Sequence, residues 1–503
     1  MALGAVSLGA NSVVSFNGGS GSNLIVRGTS FSDTATTIYR DAGNEFTARY
    51  RTGLVFDNGV SNTVNGIFSL GSNNRAALQA IGTGTIVNFN GYWAADSATG
   101  HFGIFDGGKI IVGAGAVIDN ALGWSGSSYA QATEFSLTTG NGGVLEFASG
   151  FIASQVVGTT DRTDVNMGGN FRINGNFITN HSQNISNYQM YISFAQTDAT
   201  WTTKTNNQIS YAPVYVNGNN AVIETISNLN LNAPVYFTSN SDAANQTRDW
   251  QLNGIIQPTQ GTLTPLISKI TKTGAGKLDI TAPVVTSYTS AIDVVAGTLA
   301  MNNPSIIGPG NIDTTVRSGA TLQGGNAAGS VGFIAGSVAL ESGGIIAPGN
   351  STGILTIQGN GYGETGEFSM ATDSILAVEI NGTTVGSQYD QLNVLGTVTL
   401  GGDLQITAGA LTTGTFYIIN NDLLDPVNGL LFNGATALNH LDTFTQAGYT
   451  WQISYKADFP NDIFDTLSGN DVALKLVTDE IPEPASIGVL GLGMAALLLR
   501  RRK

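Results

Sequence analysis

The stretch DRTDVN holds the densest local arrangement of residues suited to acid–base chemistry: Asp161, Arg162 and Asp164. Enzymes that cleave polysaccharides gather carboxylates as an acid–base pair or around calcium, with a basic residue nearby. Asp161 and Asp164 are three positions apart, so they would face opposite sides of a strand. We therefore interpret the stretch as a solvated loop, with a catalytic pair as the alternative.

A second acidic group lies near the end of the chain and consists of Asp458, Asp462, Asp465 and Asp471. The sequence SGND around Asp471 is similar to calcium-binding glycine–aspartate repeats, but one copy cannot build a stacked calcium site. Loose calcium binding by these carboxylates stays open at this point.

The densest patch of charge and aromatic rings is YRDAGNEFTARYR at residues 39–51. Arg40, Arg49 and Arg51 beside Tyr39 and Tyr50 have the chemistry to contact acidic glycans or stack on sugars. The simpler interpretation is a pair of solvent-facing strands.

Signatures of hydrolases and nucleotide-binding enzymes are missing. The sequence has no Gly-x-Ser-x-Gly, no His-Glu-x-x-His and no Walker loop, since Leu278 follows Lys277. His101, His181 and His440 are isolated, and we expect solvated loop residues. We predict no catalytic residue, no metal site, no cofactor and no enzymatic activity.

Composition narrows the class of protein further. Charged residues make up 11% of the chain, against roughly 25% in average proteins, and there are 66 glycines. The net charge is −15, and it becomes −19 without the four basic residues at positions 500–503, which argues against nucleic acid as a partner. The absence of cysteine excludes disulfides and thiolate metal sites, and fits an extracellular protein stabilised by long sheets.

Short stretches repeat at a spacing of 20–25 residues. APVYV at 212–216 returns as APVYF at 233–237, 21 residues later, and SGATLQGGN at 318–326 returns as SGGIIAPGN at 342–350, 24 residues later. Such periods indicate a solenoid, and the alternation of apolar residues within each unit indicates strands. The sequence therefore predicts an all-β parallel β-helix, with glycine and asparagine at its corners.

Residues 267–476 resemble the autotransporter-associated β-strand repeat proteins. The resemblance rests on KTGAGKLDI at 272–280, IIAPGNSTGILTIQG at 345–359 and YDQLNVLGTVTLGG at 389–402. It implies a right-handed parallel β-helix of the kind found in bacterial surface passengers. We predict a β-helix-like region over 1–266, the repeat β-helix over 267–410, its end or cap over 411–480, and a separate tail over 481–503.

That tail differs from the rest of the chain. Pro482, Glu483 and Pro484 precede fifteen apolar or small residues at 485–499, and Arg500, Arg501, Arg502 and Lys503 follow. This run is shorter than the roughly 20 residues that span a bilayer comfortably. We predict a short hydrophobic helix whose basic end lies on the cytoplasmic side. GLGMAA at 491–496 fits a dinucleotide fingerprint by letter only, because no strand precedes it.

The three ordered parts of the tail are similar to the PEP-CTERM sorting signal. This resemblance implies a Gram-negative exporter and an exosortase-type membrane protease that recognises the Pro-Glu-Pro region, removes the tail after transient insertion of 485–499 in the inner membrane, and releases or attaches the protein outside. It also implies an association with exopolysaccharide and biofilm matrix. A short permanent anchor is the alternative.

Together these patterns predict a secreted or cell-surface β-helical protein with a structural or adhesive role in the extracellular matrix. Its expected partners are the exosortase and, beyond it, exopolysaccharide or a neighbouring cell surface. The alternative is a β-helix polysaccharide lyase or glycoside hydrolase.

Overall fold

The structure is a computed structural model of the whole chain. It describes residues 2–3, 6–8, 13–16, 23–26, 31–33, 37–40, 53–65, 67–70, 76–95, 100–113, 116–119, 138–139, 143–148, 169–173, 176–179, 190–194, 199–204, 208–210, 213–217, 220–238, 268–286, 289–325, 331–359, 365–421 and 425–477.

The described residues form strands and turns, with no helix among them. The strands in the first half are β1 Ala2–Leu3, β2 Val6–Leu8, β3 Val13–Phe16, β4 Asn23–Val26, β5 Phe31–Asp33, β6 Thr37–Arg40, β7 Gly53–Phe56, β8 Ser61–Val64, β9 Ile67–Leu70, β10 Ala76–Ile81, β11 Ile86–Phe89, β12 Tyr92–Ala95, β13 Gly100–Phe105, β14 Lys109–Val112, β15 Val117–Asp119, β16 Thr138–Thr139, β17 Val144–Phe147, β18 Gly169–Ile173, β19 Asn176–Thr179, β20 Met190–Phe194, β21 Ala199–Thr203, β22 Gln208–Ser210, β23 Val214–Asn217, β24 Asn220–Thr225, β25 Leu229–Leu231 and β26 Val235–Thr238. The second half contributes β27 Lys269–Thr273, β28 Lys277–Ile280, β29 Val284–Thr286, β30 Ser290–Val294, β31 Thr298–Met301, β32 Ile306–Ile307, β33 Ile312–Val316, β34 Thr321–Gly324, β35 Val331–Ala335, β36 Val338–Leu340, β37 Ile345–Ala347, β38 Ile354–Gln358, β39 Phe368–Met370, β40 Ile375–Ile380, β41 Gln391–Val394, β42 Val398–Leu400, β43 Asp403–Ala408, β44 Thr415–Asn421, β45 Val427–Gly429, β46 Phe432–Asn433, β47 Thr436–Ala437, β48 Thr443–Gln446, β49 Tyr449–Ala457 and β50 Asp471–Val477.

The strands stack into long parallel sheets, as expected for a solenoid. One sheet of fourteen strands runs from β8 to β45 and takes every second or third strand in chain order. Most coils contribute three strands, one to this sheet and one to each of two further sheets. The all-β parallel solenoid predicted from the sequence is thereby confirmed, while the right-handed sense of winding stays a prediction.

The sequence repeats coincide with the register of the sheets. Val214 of the first APVY copy pairs with Val235 of the second, and Thr321 pairs with Ile345 in the two serine–glycine copies. The long sheet also crosses the predicted division near residue 266, because Asn220 pairs with Lys269. The repeats are confirmed as successive coils, and the division into regions stays a prediction.

Alternation along each strand separates a buried interior from an outward surface. In β24 and β40 every second residue is buried. Large side chains fill the interior in rows: the rings of Phe147 and Phe177 lie 5.4 Å apart edge to face, and Phe177 lies 6.1 Å from Trp201. Each coil thus buries its apolar residues against the coils on both sides, which no single coil achieves alone.

The stack changes character near its C-terminal end. β44 pairs in parallel with β41 on one side but antiparallel with β50 on the other, and β49 and β48 continue this antiparallel order. These strands cover the edge that the last parallel coil would otherwise leave open to another chain.

Glycine is required where corners of successive coils approach each other. Gly297 has a φ of +67°, and a Cβ there would lie 2.3 Å from the carbonyl oxygen of Gly274, which has a φ of +76° itself. Gly319 has a φ of +75° at the same corner one coil later, but a Cβ there would meet nothing within 4 Å.

The two glycines provide a matched test of corner stacking. Gly319→Ala should cost about 1 kcal/mol of unfolding free energy, because a side chain disfavours positive φ. Gly297→Ala should cost about 3 kcal/mol or more, because the added carbon also collides with backbone in the adjacent coil. Denaturant midpoints of both variants measure this, and equal losses would contradict stacking as the reason for the glycine.

Candidate functional site

The outward side of the fourteen-stranded sheet is the most extended regular surface among the described residues, and we call it the long face. One outward row crosses seven adjacent strands in register, from β24 to β42. Its members are Val222, Thr271, Asp293, Thr315, Ala339, Ser369 and Thr399. Parallel strands hold such a row at a spacing of about 4.8 Å.

Glu146 on β17 anchors the first ion cluster of the long face. Its carboxylate is 2.6 Å from Lys109 Nζ and 3.0 Å from Lys204 Nζ, and the residue is 7% exposed. Burial would raise the pKa of Glu146, but hydrogen bonds and charge from the two lysines outweigh it and lower the pKa. The carboxylate is held ionised and is committed to its partners.

Asp293 on β30 holds a second cluster in the same way. Arg317 reaches both of its oxygens, Nε at 2.8 Å and Nη2 at 3.1 Å, and Lys269 Nζ lies 3.0 Å away. Burial opposes ionisation of Asp293, yet the hydrogen bonds from Arg317 and Lys269 lower its pKa. Arg317 Nη1 also contacts Glu341 on the next coil, so the cluster ties several coils together.

Beyond this second cluster the row carries small uncharged side chains. Ala339 and Thr399 are exposed and Ser369 is half-buried. The hydroxyl groups of this row can exchange hydrogen bonds with a flat or extended ligand. The chemistry of the row suits repeated weak polar contacts better than a single deep site.

A fully buried lysine, Lys272, lies beneath the long face near the end of β27. Lys272 Nζ donates to three carbonyl oxygens: Thr273 at 2.8 Å, Gly274 at 2.9 Å and Ala296 at 2.7 Å. Burial lowers the pKa of Lys272 to about 8, while the three acceptors favour the charged form. The ammonium group joins the corners of two successive coils.

Two buried aspartates join neighbouring segments near the C-terminal end. Asp390 is 3% exposed and accepts from the N–H groups of Gly353 at 2.8 Å and Glu379 at 2.7 Å. Burial raises the pKa of Asp390 to about 7, although these two donors act against the rise. Asp471 accepts from the N–H groups of Asn421 and Phe459, and burial raises its pKa as well.

Lys272 and Asp390 were not predicted from the sequence as structural residues. The sequence did contain an indication of their position. Each residue occupies an inward position in the alternation of apolar and polar residues. Lys272 is two positions after buried Ile270, and Asp390 is two positions before buried Leu392. A charged residue on an inward position must meet polar groups inside the fold.

The late acidic residues are dispersed over different partners. Asp462 accepts from the Tyr417 hydroxyl at 2.9 Å, Asp458 accepts from Asn461, and Asp465 lies 3.2 Å from His440 Nε2. Within the described part of the chain no three His, Asp or Glu side chains are grouped as metal ligands. The described geometry of these carboxylates therefore gives no support for calcium binding by the group.

The histidines and upstream candidates have different outcomes. His440 is not isolated, because Nδ1 also accepts from the Tyr455 N–H at 3.3 Å, and His101 lies in β13 rather than in a loop. Tyr39 and Arg40 lie in β6, whose side chains are not described. The remaining candidates lie outside the described residues: Asp161, Arg162, Asp164, His181, Arg49, Tyr50 and Arg51.

The tail is where comparison with known proteins gives a result. Residues 480–503 match the PEP-CTERM protein-sorting motif, which suggests export and sorting to the surface of a Gram-negative bacterium. This signal is processed by exosortase-type machinery. No curated protein sequence matches the chain.

The sorting residues themselves lie outside the described residues, as does the predicted helix over 485–499. These are Pro482, Glu483, Pro484, Arg500, Arg501, Arg502 and Lys503. Among the residues that are described, no helix has the length and apolar character needed to cross a membrane.

Two lysines of one motif allow a matched test of the buried corner. Lys272→Met leaves three carbonyl oxygens without their donor and should lower the unfolding free energy by about 3 kcal/mol or more. Lys277→Met removes a partly exposed lysine 3.6 Å from Asp279 and should cost less than about 1 kcal/mol. Chemical denaturation distinguishes them, and a Lys272→Met variant as stable as Lys277→Met would contradict the bridging role.

Proposed function

We propose that the protein is a secreted or cell-surface structural and adhesive component of the extracellular matrix, and that it acts without catalysis. The observation that carries the proposal is the match of residues 480–503 to the PEP-CTERM sorting motif. An exosortase-type protease acts at the region of Pro482, Glu483 and Pro484 while 485–499 are inserted in the inner membrane. The basic cluster at 500–503 keeps the C-terminus in the cytoplasm.

The solenoid body then works as a stiff scaffold. Its described long sheet has fourteen strands, which corresponds to about 60 Å at strand spacing. The long face presents the hydroxyl groups of Thr315, Ser369 and Thr399 to exopolysaccharide or to a neighbouring cell surface. Many weak contacts along one polymer combine into firm attachment, since each bound segment raises the local concentration of the next.

The arrangement of the described carboxylates favours this role over a polysaccharide lyase or hydrolase. Glu146 and Asp293 are ion-paired, and Asp390 and Asp471 are buried against backbone N–H groups. A catalytic pair needs one protonated and one ionised carboxyl group, both facing the same substrate. These four carboxylates instead stabilise contacts between segments of the solenoid.

Replacing Pro482, Glu483 and Pro484 together by alanine should prevent removal of the tail. The protein should then stay with the membrane fraction at its full-length mass, whereas the unmodified protein recovered outside the cell should lack the tail. Changing Thr478 and Asp479 to alanine, just before the matched region, is the control and should leave processing intact. Full-length protein released from cells with an unaltered motif would contradict the proposal.

Protein recovered from outside the cell should be retained on polysaccharides without degrading them. Ser369→Arg with Thr399→Arg places long side chains on the long face and should weaken retention on a glycan array. Gln405→Arg with Thr407→Arg makes the same charge change on exposed positions of the neighbouring sheet and should have little effect. Reproducible formation of new reducing ends or unsaturated products from acidic polysaccharides would favour the enzyme instead.

A further inference from the structure

One corner of the solenoid is longer than its equivalents in neighbouring coils. The connection from β40 to β41 contains ten residues, 381–390. The equivalent connections β34–β35, β37–β38 and β43–β44 contain six residues each, at 325–330, 348–353 and 409–414. The corner at 381–390 is therefore four residues longer than these equivalents.

The tip of this longer corner is closed and exposed. The Asn381 N–H donates to the Gln388 carbonyl, and the Gln388 N–H donates to the Thr384 carbonyl. Tyr389 is buried at the base with its ring 5.5 Å from that of Phe416. Asn381, Thr383 and Thr384 are exposed on the surface of this hydrogen-bonded turn.

Asn381, Gly382 and Thr383 form an Asn-x-Thr acceptor sequence for N-linked glycans, in which Asn381 and Thr383 are exposed. Glu379 lies two positions before the asparagine, and its Oε1 accepts from Asn381 Nδ2 at 2.5 Å. The amide nitrogen that would carry the sugar is thus oriented by a neighbouring carboxylate at the surface.

A second Asn-x-Thr sequence in the described part of the chain has a different environment. Asn350, Ser351 and Thr352 occupy one of the six-residue corners. Thr352 is 3% exposed and its hydroxyl donates to the Ser387 carbonyl, while Asn350 Oδ1 accepts from Lys277 Nζ. An enzyme that must reach both asparagine and threonine cannot do so here without opening the corner.

We propose that Asn381 is an N-glycosylation site on the exported protein, which goes beyond the proposed scaffold role. The donor is a polyprenyl-diphosphate-linked oligosaccharide, and a membrane oligosaccharyltransferase acting outside the cytoplasm catalyses the transfer. Asn381 Nδ2 forms a bond to the anomeric carbon of the first sugar, the bond from that carbon to the diphosphate oxygen breaks, and polyprenyl diphosphate leaves. The amide nitrogen loses one proton to the solvent or to the leaving diphosphate.

The test incubates the purified, folded full chain with a bacterial oligosaccharyltransferase and polyprenyl-diphosphate-linked N-acetylglucosamine. Digestion after acidic residues separates the two sequences, because Glu379 and Asp390 bound one peptide and Glu341 and Glu364 bound the other. The peptide 380–390 should gain the mass of one N-acetylhexosamine, and the peptide 342–364 should stay unchanged.

Conservative changes at an exposed position keep the test independent of folding. Thr383→Ala should abolish the modification and Thr383→Ser should retain it, while Asn381→Gln should abolish it as well. The proposal is overturned if peptide 380–390 stays unmodified while a free acceptor peptide in the same mixture is glycosylated. Modification of Asn350 in preference to Asn381, or equal modification of Thr383→Ala, would overturn it too.

Discussion

Hydrogen bonding between the backbones of successive coils is the constraint on which the rest of the structure depends. A parallel strand satisfies its N–H and C=O groups only when the next coil repeats the same path at the same spacing. Corners must therefore stack as closely as strands do. Gly297 permits this by presenting no Cβ to the carbonyl of Gly274, and Lys272 binds the carbonyl oxygens that the stacked corners turn inward.

The same constraint explains where charge is found. An outward row repeats at strand spacing, so two like charges on adjacent coils would repel each other at short range. The described clusters place opposite charges there instead, as with Asp293 between Lys269 and Arg317. These pairs tie neighbouring coils together across the long face.

Function is divided between the body and the tail. The tail matches a sorting motif, which directs the chain to export and the cell surface. The body supplies a repeated surface, whose proposed task is to make many weak contacts. The corner at 381–390 is longer than its equivalents and exposes Asn381 and Thr383, which is why we place a modification there.

The alternation of apolar residues and the repeats at 21 and 24 residues determined the parallel solenoid, because strand periodicity and coil length are local properties of the chain. The sorting tail could also be predicted from the sequence, since its three parts are contiguous. Only the tertiary structure decided which residues of neighbouring coils come into contact. Lys272, Asp390 and Glu146 obtain their partners from segments up to 58 positions away, as the contact of Glu146 with Lys204 shows. Burial and register, which set those contacts, arise only when the coils stack.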